Sequence, residues 1–366
     1  MVTFSFDPVA LLRAALEIES LSGQEDELAR FLVGQMEALG YTRAYLDPAG
    51  NAVGEIGDVN APHTIVLLGH MDTVLGWIPV RVEEGVLYGR GAVDAKGPLC
   101  AFISAVARVG ERTGTRFVVV GATEEEAATS KGARFIRDRF MAERVPDACI
   151  IGEPSGWDRI TLGYKGRQLV DAIFRQPLSH TAGPDARVAE WGVVWWLGVK
   201  HWAEAHNAAV QSAFDALLPS LRRFQTGGDG LMEWAELEVG LRLPLGLTPD
   251  EIARRVQEAR ADVPNSVAVQ FQFRGYEPAY RADRNNKLVR AFQAAIRSAG
   301  GRPGFKLKTG TSDMNVVGPV WNCPIVAYGP GDSRLDHTPN EHIRLDEYLR
   351  GIEVLTEAVR ALTNFS

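Results

Sequence analysis

The chain has 366 residues, 46% hydrophobic and 23% charged, enough to bury a full core and too long for one small domain. Acidic residues outnumber basic ones 46 to 39, and the resulting net charge of −7 excludes a nucleic-acid binder that relies on overall charge. No apolar run approaches the roughly 18 to 20 residues of a membrane span. The opening MVTFSFDPVALLRAALEIES lacks a basic segment and a small-residue cleavage site. Cys100, Cys149 and Cys323 lie in or beside apolar segments with no C-x-x-C pair, so the expectation is a soluble, cytoplasmic protein with reduced thiols.

In chain order, Asp7-Pro8 reads as an N-cap followed by proline at the first helical position, opening a helix that continues to about residue 19. A second helix covers about 25 to 39 and stops at Gly40. Short apolar runs then follow, HTIVLLG, TRFVVVGA and DACIIG, separated by helices near 97–109 and 130–141. That alternation marks a mainly parallel sheet covered by helices. From Gly166 the pattern changes to a strand (GRQLVDAIF), helical stretches over about 185–223, a strand (WAELEVGLRL), a helix over about 249–261 and a strand (VAVQFQFRG). NNKLVRAFQAAIRSAG, NCPIVAYG and LDEYLRGIEVLTEAVRAL then give a helix, a strand and a closing helix. The expected fold is α/β: a mixed, mainly parallel sheet flanked by helices in residues 1–165 and 277–366, interrupted by an inserted α+β domain in residues 166–276.

Three of the apolar strands run into candidate metal ligands: His70 with Asp72, Glu124 with Glu125, and Glu153. Ligands of open α/β sheets bind beyond the carboxyl ends of the strands. Carboxylates crowded there repel one another, and a pair of divalent cations offsets that cost. In LLGHMDTV the i, i+2 spacing lets Asp72 orient a metal-bound His70. In YGRGAVDAKGPL, Asp94 occupies a Gly-flanked loop where a carboxylate can bridge two metals. Neighbouring carboxylates in GATEEEAATSKG point in different directions, which assigns Glu125 to metal and leaves Glu124 free to move protons. In RLDHTPNEHI the turn at Pro339-Asn340 presents His337, with His342 as the competing donor. His63, His201 and His206 read as structural. A nitrogen and oxygen donor set without thiolates suits zinc and can keep a position open for water.

The motifs GHMDTV, GRGAVDAKG, TEEE, GEPS and DHTPNE, in this order over nearly the whole chain, resemble the two-zinc peptidase and deacylase family that includes aminoacylases, acetylornithine deacetylase, succinyl-diaminopimelate desuccinylase and glutamate-releasing carboxypeptidases. The resemblance implies two divalent metal ions, zinc with cobalt as the alternative, held by His70, Asp94, Glu125, Glu153 and His337, with Asp94 bridging. It implies Asp72 and Glu124 as the catalytic pair. It also implies a homodimer paired through the inserted domain, in which His180 of LSHTAGP reaches the other subunit's site to stabilise an oxyanion. Arg242 resembles the family's substrate-carboxylate arginine, although Gly240 stands where the family commonly has an acidic residue.

GYKGRQ, KTGTSDMNVV and YGPGDSRLDHTPNE look closest to the branch of the family that releases lysine or ornithine from the C-terminal glutamate γ-carboxyl of a small acidic amino-group carrier protein, a step of lysine biosynthesis. By that likeness Lys308, Thr309, Gly310, Thr311 and Ser312 contact the substrate. Lys165, Arg167, Lys306, Lys308 and Arg334 are the local basic residues that would meet an acidic carrier despite the negative net charge. Two rival readings remain open: an N-acyl amino acid deacylase or dipeptidase of the same chemistry, and a catalytically silent binding protein.

Overall fold

The computed structural model describes residues 6–180, 183 and 186–363. The chain forms two compact units, one of Met1–Gly163, Arg281–Leu307 and Ser312–Ser366, the other of Tyr164–Tyr280 with Lys308–Thr311. The sequence pattern gave no sign that Lys308–Thr311 would join the second unit.

In the first unit, helix α1 (Pro8–Leu16) starts where the Asp7 side chain accepts the Val9 N–H at 2.9 Å, and it ends short of the expected residue 19. Helix α2 (Asp26–Ala38) closes before Gly40, whose φ of +81° suits glycine. Strands β1 (Arg43–Leu46), β2 (Ala52–Ile56) and β3 (His63–His70) follow, then the short β4 (Arg81–Glu83) and β5 (Val86–Tyr88). Helix α3 (Lys96–Val109), β6 (Thr115–Ala122), helix α4 (Lys131–Glu143), β7 (Ala148–Gly152) and β8 (Arg159–Tyr164) complete the first pass.

The second unit contains β9 (Gly166–Pro177), α5 (Val188–Asn207), β10 (Leu218–Gly228), β11 (Met232–Leu243), α6 (Pro249–Glu258) and β12 (Ala268–Glu277). The chain then supplies β13 (Tyr280–Arg281), α7 (Lys287–Ser298), β14 (Gly304–Lys308), α8 (Asp313–Trp321), β15 (Ile325–Ala327), β16 (His342–Arg344) and α9 (Leu345–Ala361).

The large sheet has the order β1-β2-β6-β3-β7-β15-β8-β13, with β14 paired to β8. Its centre is parallel: β3 runs with β6 and β7, and β15 with β7. The outer pairs β1/β2, β2/β6 and β8/β15 are antiparallel. All of β6 and β7, and all of β3 after His63, are buried, which is why these strands read as unbroken apolar runs. Leu99, Phe102 and Val106 of α3 join Ile352, Leu355 and Val359 of α9 in the core beneath them.

Register positions the site. Across the parallel ladder His70 lies opposite Ala122 and Gly69 opposite Gly152, so the three strands stop together and the residues just beyond them converge. On the small sheet β16-β5-β4, Ile343 pairs with Leu87, and Gly89 donates its N–H to the Glu341 carbonyl at 3.3 Å. This carries the C-terminal DHTPNE segment to the loop that holds Asp94.

The second unit is an antiparallel sheet, β10-β11-β9-β12, with Trp195 of α5 fully buried near Phe174 and Phe271 at ring separations of 5.9 and 5.4 Å. The expected helix over 185–223 is corrected here: α5 ends at Asn207 and β10 occupies the later part. Pro219 lacks the N–H a helix interior needs. β10 is an edge strand with mostly exposed residues, so it lacks the alternation that would have marked it. Cys100 and Cys149 are buried, Cys323 is half-buried, and all three are free thiols. Among the described residues no helix is long and apolar enough to cross a membrane.

Trp195 also donates its indole N–H to the Val256 carbonyl at 3.1 Å, so it joins α5 to α6. Trp195→Ala should cost the second unit about 3 to 5 kcal/mol, read as a lower urea midpoint of its unfolding transition. An unchanged midpoint would show that the unit is held together elsewhere.

Candidate metal centre

Asp72 is fully buried just beyond β3 and accepts three hydrogen bonds, from the Ser22 hydroxyl at 2.6 Å, the Glu125 N–H at 3.0 Å and the Glu126 N–H at 2.9 Å. The same carboxylate lies 3.4 Å from His70 Nδ1, which also meets the Asp72 carbonyl at 3.0 Å. Asp72 therefore orients the imidazole and fixes the backbone of the acidic run at the end of β6. The other ring nitrogen, His70 Nε2, lies 3.3 Å from Asp94 Oδ1.

The loop carrying Asp94 is wrapped around a second buried carboxylate. Glu341 Oε1 accepts the N–H groups of Gly91, Val93 and Asp94 at 3.0, 2.9 and 3.0 Å, while Oε2 pairs with Arg90 Nη1 at 2.7 Å. Gly91 has φ +90°, and a Cβ there would press on Lys96 and Thr73 at 3.0 Å. Held this way, Asp94 turns its second oxygen, Oδ2, to His337 Nε2 at 3.0 Å. Its two oxygens thus face two different imidazoles. His337 has φ +61° and also meets Glu126 Oε1 at 2.8 Å.

The acidic run is displaced by one residue from the expectation. Glu124, expected to move protons, lies at φ +59°; its N–H goes to Glu25 and its carboxylate to the Thr129 hydroxyl at 2.8 Å and Lys131 Nζ at 3.6 Å. The left-handed turn at Glu124 sends its side chain away from the cluster and brings the next two amides onto Asp72. Glu125 and Glu126 are the carboxylates that enter. His70, Glu125 and Glu126 form one group of donor atoms lying within 4.8 Å of one another, and Asp94, Glu126 and His337 form a second, so Glu126 belongs to both.

Charge is unevenly distributed here. Burial, reinforced by Glu153, Glu126 and Asp313 against the pull of His70, pushes the Glu125 carboxyl well above its ordinary range. Burial also raises Glu126, against its hydrogen bond from His337. For Asp94 burial is outweighed by hydrogen bonds from His337 and His70, which hold it below the usual carboxylate range. Burial opposes protonation of His70, yet Asp72 and Asp94 lift it well above its ordinary value. Asp94 and Glu126 raise His337 to about 10. Asp72, Asp94, Glu125, Glu126 and Glu153 thus gather around the His70 and His337 imidazoles, a concentration of carboxylates that bound cations would stabilise.

Glu153 is buried immediately after β7, close enough to act on Glu125. His342 is turned elsewhere, its Nδ1 to the Asn340 carbonyl at 2.6 Å and its ring to Tyr88 at 5.0 Å. In the second unit His180 is exposed and its carbonyl accepts the Gly183 N–H at 2.8 Å; Thr181 and Ala182 lie outside the described residues. Arg242 Nη1 donates to the Thr311 hydroxyl at 2.8 Å, which places the arginine beside the Lys308, Thr309, Gly310 and Thr311 segment. Ser312 instead caps α8, its hydroxyl accepting the Met314 N–H at 3.2 Å.

One of the basic residues is also corrected. Lys165 is fully buried, with its ammonium on the carbonyls of Ala213, Phe214 and Ala216, so it cannot meet a carrier. Arg334 is paired with Asp332.

Sequence reasoning missed the roles of Glu126 and Glu341, although both lay inside quoted motifs as the third glutamate of TEEE and the last residue of DHTPNE. Glu341→Ala would leave three buried N–H groups without their acceptor, at about 1 to 3 kcal/mol for each. The thermal midpoint should fall markedly, and Glu341→Gln, which keeps an acceptor oxygen, should fall less. Equal midpoints for the two variants would show that the carboxamide cannot substitute.

Residues 66–361 match the model of peptidase family M20/M25/M40. The chain is 47% identical over 358 residues, 96% of each chain, to a LysW-lysine hydrolase of Deinococcus radiodurans. Among solved structures it is similar to an M20 family metallo-carboxypeptidase of Sulfolobus solfataricus, with a TM-score of 0.79 at 19% identity over 98% of this chain and 99% of that one. It is likewise similar to a dinuclear metal binding peptidase of the M20 family from Bacillus subtilis, with a TM-score of 0.73 at 13% identity over 98% of each chain. With buried imidazole and carboxylate donors at the ends of three parallel strands and a family match over most of its length, the chain belongs to peptidase family M20/M25/M40.

Proposed function

We propose that the chain is a two-metal amide hydrolase that releases lysine from the C-terminal glutamate γ-carboxyl of a small acidic amino-group carrier protein, a step of lysine biosynthesis in the cytoplasm. The observation that carries the hydrolase reading is Asp94, whose two oxygens face His70 and His337 while Glu126 is shared by both donor groups. The 47% identity to a LysW-lysine hydrolase supports the carrier-linked substrate.

The donor set fits divalent cations: imidazole and carboxylate without thiolate, and a concentration of carboxylates around the two histidines. In this reading His70, Asp94, Glu126, Glu153 and His337 would hold two ions, zinc with cobalt as the alternative. Such ions ease the deprotonation of water and polarise the amide carbonyl. Glu125 takes the proton from the attacking water and returns it to the departing amine. Its backbone is fixed by Asp72, so its reach is set before substrate arrives. Arg242 and the Lys308–Thr311 segment receive the substrate carboxylate. In a homodimer paired through the second unit, His180 of one copy steadies the oxyanion in the other.

Three adjacent substitutions separate the roles. Glu125→Gln should abolish turnover, by about 100-fold or more, with metal content retained. Glu126→Ala should lose metal as measured by elemental analysis, and Glu124→Ala should leave both near wild type. Metal loss at Glu125 with full retention at Glu126 would reverse the two assignments.

The substrate is tested by incubating the zinc-loaded protein with lysine-loaded and ornithine-loaded carrier, acetylornithine and succinyl-diaminopimelate, and measuring released amino acid. Release from the loaded carrier is the expected result. Cleavage of the small acyl amino acids alone would keep the chemistry and discard the carrier.

A further inference from the structure

The GYKGRQ segment carries a buried titratable side chain that the hydrolytic reading leaves without a task. Lys165 lies between β8 and β9, and its ammonium donates to the carbonyls of Ala213 at 3.3 Å, Phe214 at 2.8 Å and Ala216. Taking an ammonium out of water is costly, and burial lowers this one to about 8. The three carbonyls offset that cost and hold the group in one place. They belong to the turn between α5 and β10, which is itself fixed. Phe214 and Leu217 are buried there, and the Asn207 side chain both donates to the Leu217 carbonyl and accepts the Leu217 N–H, each at 2.8 Å.

The backbone of the same lysine is where the Lys308–Thr311 segment docks. Lys165 donates its N–H to the Lys308 carbonyl at 3.2 Å, and its own carbonyl accepts the Thr311 hydroxyl at 3.0 Å. The Thr311 oxygen accepts in turn from Arg242 Nη1 at 2.8 Å, so a directed chain runs from the guanidinium through the hydroxyl to Lys165. These bonds tie Lys308–Thr311 to the second unit. Arg242 is exposed on β11, opposite Arg167 of β9. Gly240, two positions earlier on the same strand face, brings no side chain to it, and a Cβ there would meet Ser220 Oγ at 3.1 Å and Arg222 Cδ at 3.2 Å. Thr311 therefore fixes one edge of the Arg242 guanidinium.

We infer that Lys165 is a positioning residue of the substrate-carboxylate site: its buried ammonium pins the backbone that holds Thr311, and Thr311 aims Arg242. The inference deepens the function proposed above and rests on its reading of Arg242. An exposed arginine gives up rotamer freedom when it takes a carboxylate, and one already held along an edge gives up less. The anchor thus acts on binding and leaves the bond-breaking step alone.

The test uses the zinc-loaded protein and two forms of one substrate, the carrier loaded with lysine and the carrier loaded with lysine amide, which lacks the free carboxylate. Lys165→Met keeps the length of the side chain and removes its three donors. It should raise KM for the acid about tenfold, keep kcat, and treat the amide as wild type does. Lys165→Arg, which restores a cation able to donate to carbonyls, should recover part of that KM. Thr311→Val cuts the chain without touching the buried ammonium, so it covers a Lys165 variant that fails to fold, and it should raise KM for the acid in the same direction. In Lys165→Met/Thr311→Val the two effects should combine to less than their product, because both break one chain. A wild-type KM for the acid in folded Lys165→Met or in Thr311→Val overturns the inference, and so does an equal loss on acid and amide, which marks a general structural role. A wild-type enzyme with the same KM for acid and amide overturns the carboxylate reading of Arg242, and the role of Lys165 falls with it.

Discussion

The site depends on one buried carboxylate. Asp72 orients the His70 ring and, through two amide hydrogen bonds, fixes the path of the chain at Glu125 and Glu126. Two strand ends that are only parallel neighbours in the sheet are thereby joined into one rigid donor array. An ionised carboxylate taken out of water is costly unless its lone pairs are filled. Here they are filled by a hydroxyl, two backbone amides and an imidazole, so the charge that positions the site is itself held by it.

Glu341 repeats this solution on the opposite side of the cluster. A single oxygen gathers three amides of one loop, those of Gly91, Val93 and Asp94, and Arg90 pairs with the other oxygen. The Asp94 loop, rich in glycine and free of helix or strand, would otherwise have no reason to hold one conformation. Arg90 extends the same order outward through a 3.0 Å hydrogen bond to the Gly76 carbonyl. Two carboxylates that lie outside both donor groups therefore define where the donors can be.

Much of this was legible in the sequence. Continuous apolar runs ending in His, Asp and Glu located the central strands and placed their chemistry at one end, because a strand buried on both faces leaves no ambiguity of pattern. The choice among Glu124, Glu125 and Glu126 was not legible. It turns on a single left-handed residue at the strand end, and Glu124 lacks the glycine that usually announces such a backbone. Lys165 was misread for a similar reason: its ammonium is capped by three carbonyls some fifty residues further along the chain, a contact that composition does not encode. The edge strand β10 escaped because exposed strands carry little hydrophobic periodicity.

Glu341 meets Gly91 across 250 positions of chain, and His337 stands four residues before it. The Asp94 loop is therefore made early in translation, while its organiser and one of its imidazole donors arrive near the end, after the whole second unit has been synthesised. Until those residues are made, the β3, β6 and β7 strand ends lack the His337 imidazole and the Glu341 carboxylate, and the centre cannot close. The donor cluster is consequently complete only in the nearly finished polypeptide, and a product that stops short of residue 337 lacks both an imidazole of that cluster and the carboxylate that organises the Asp94 loop.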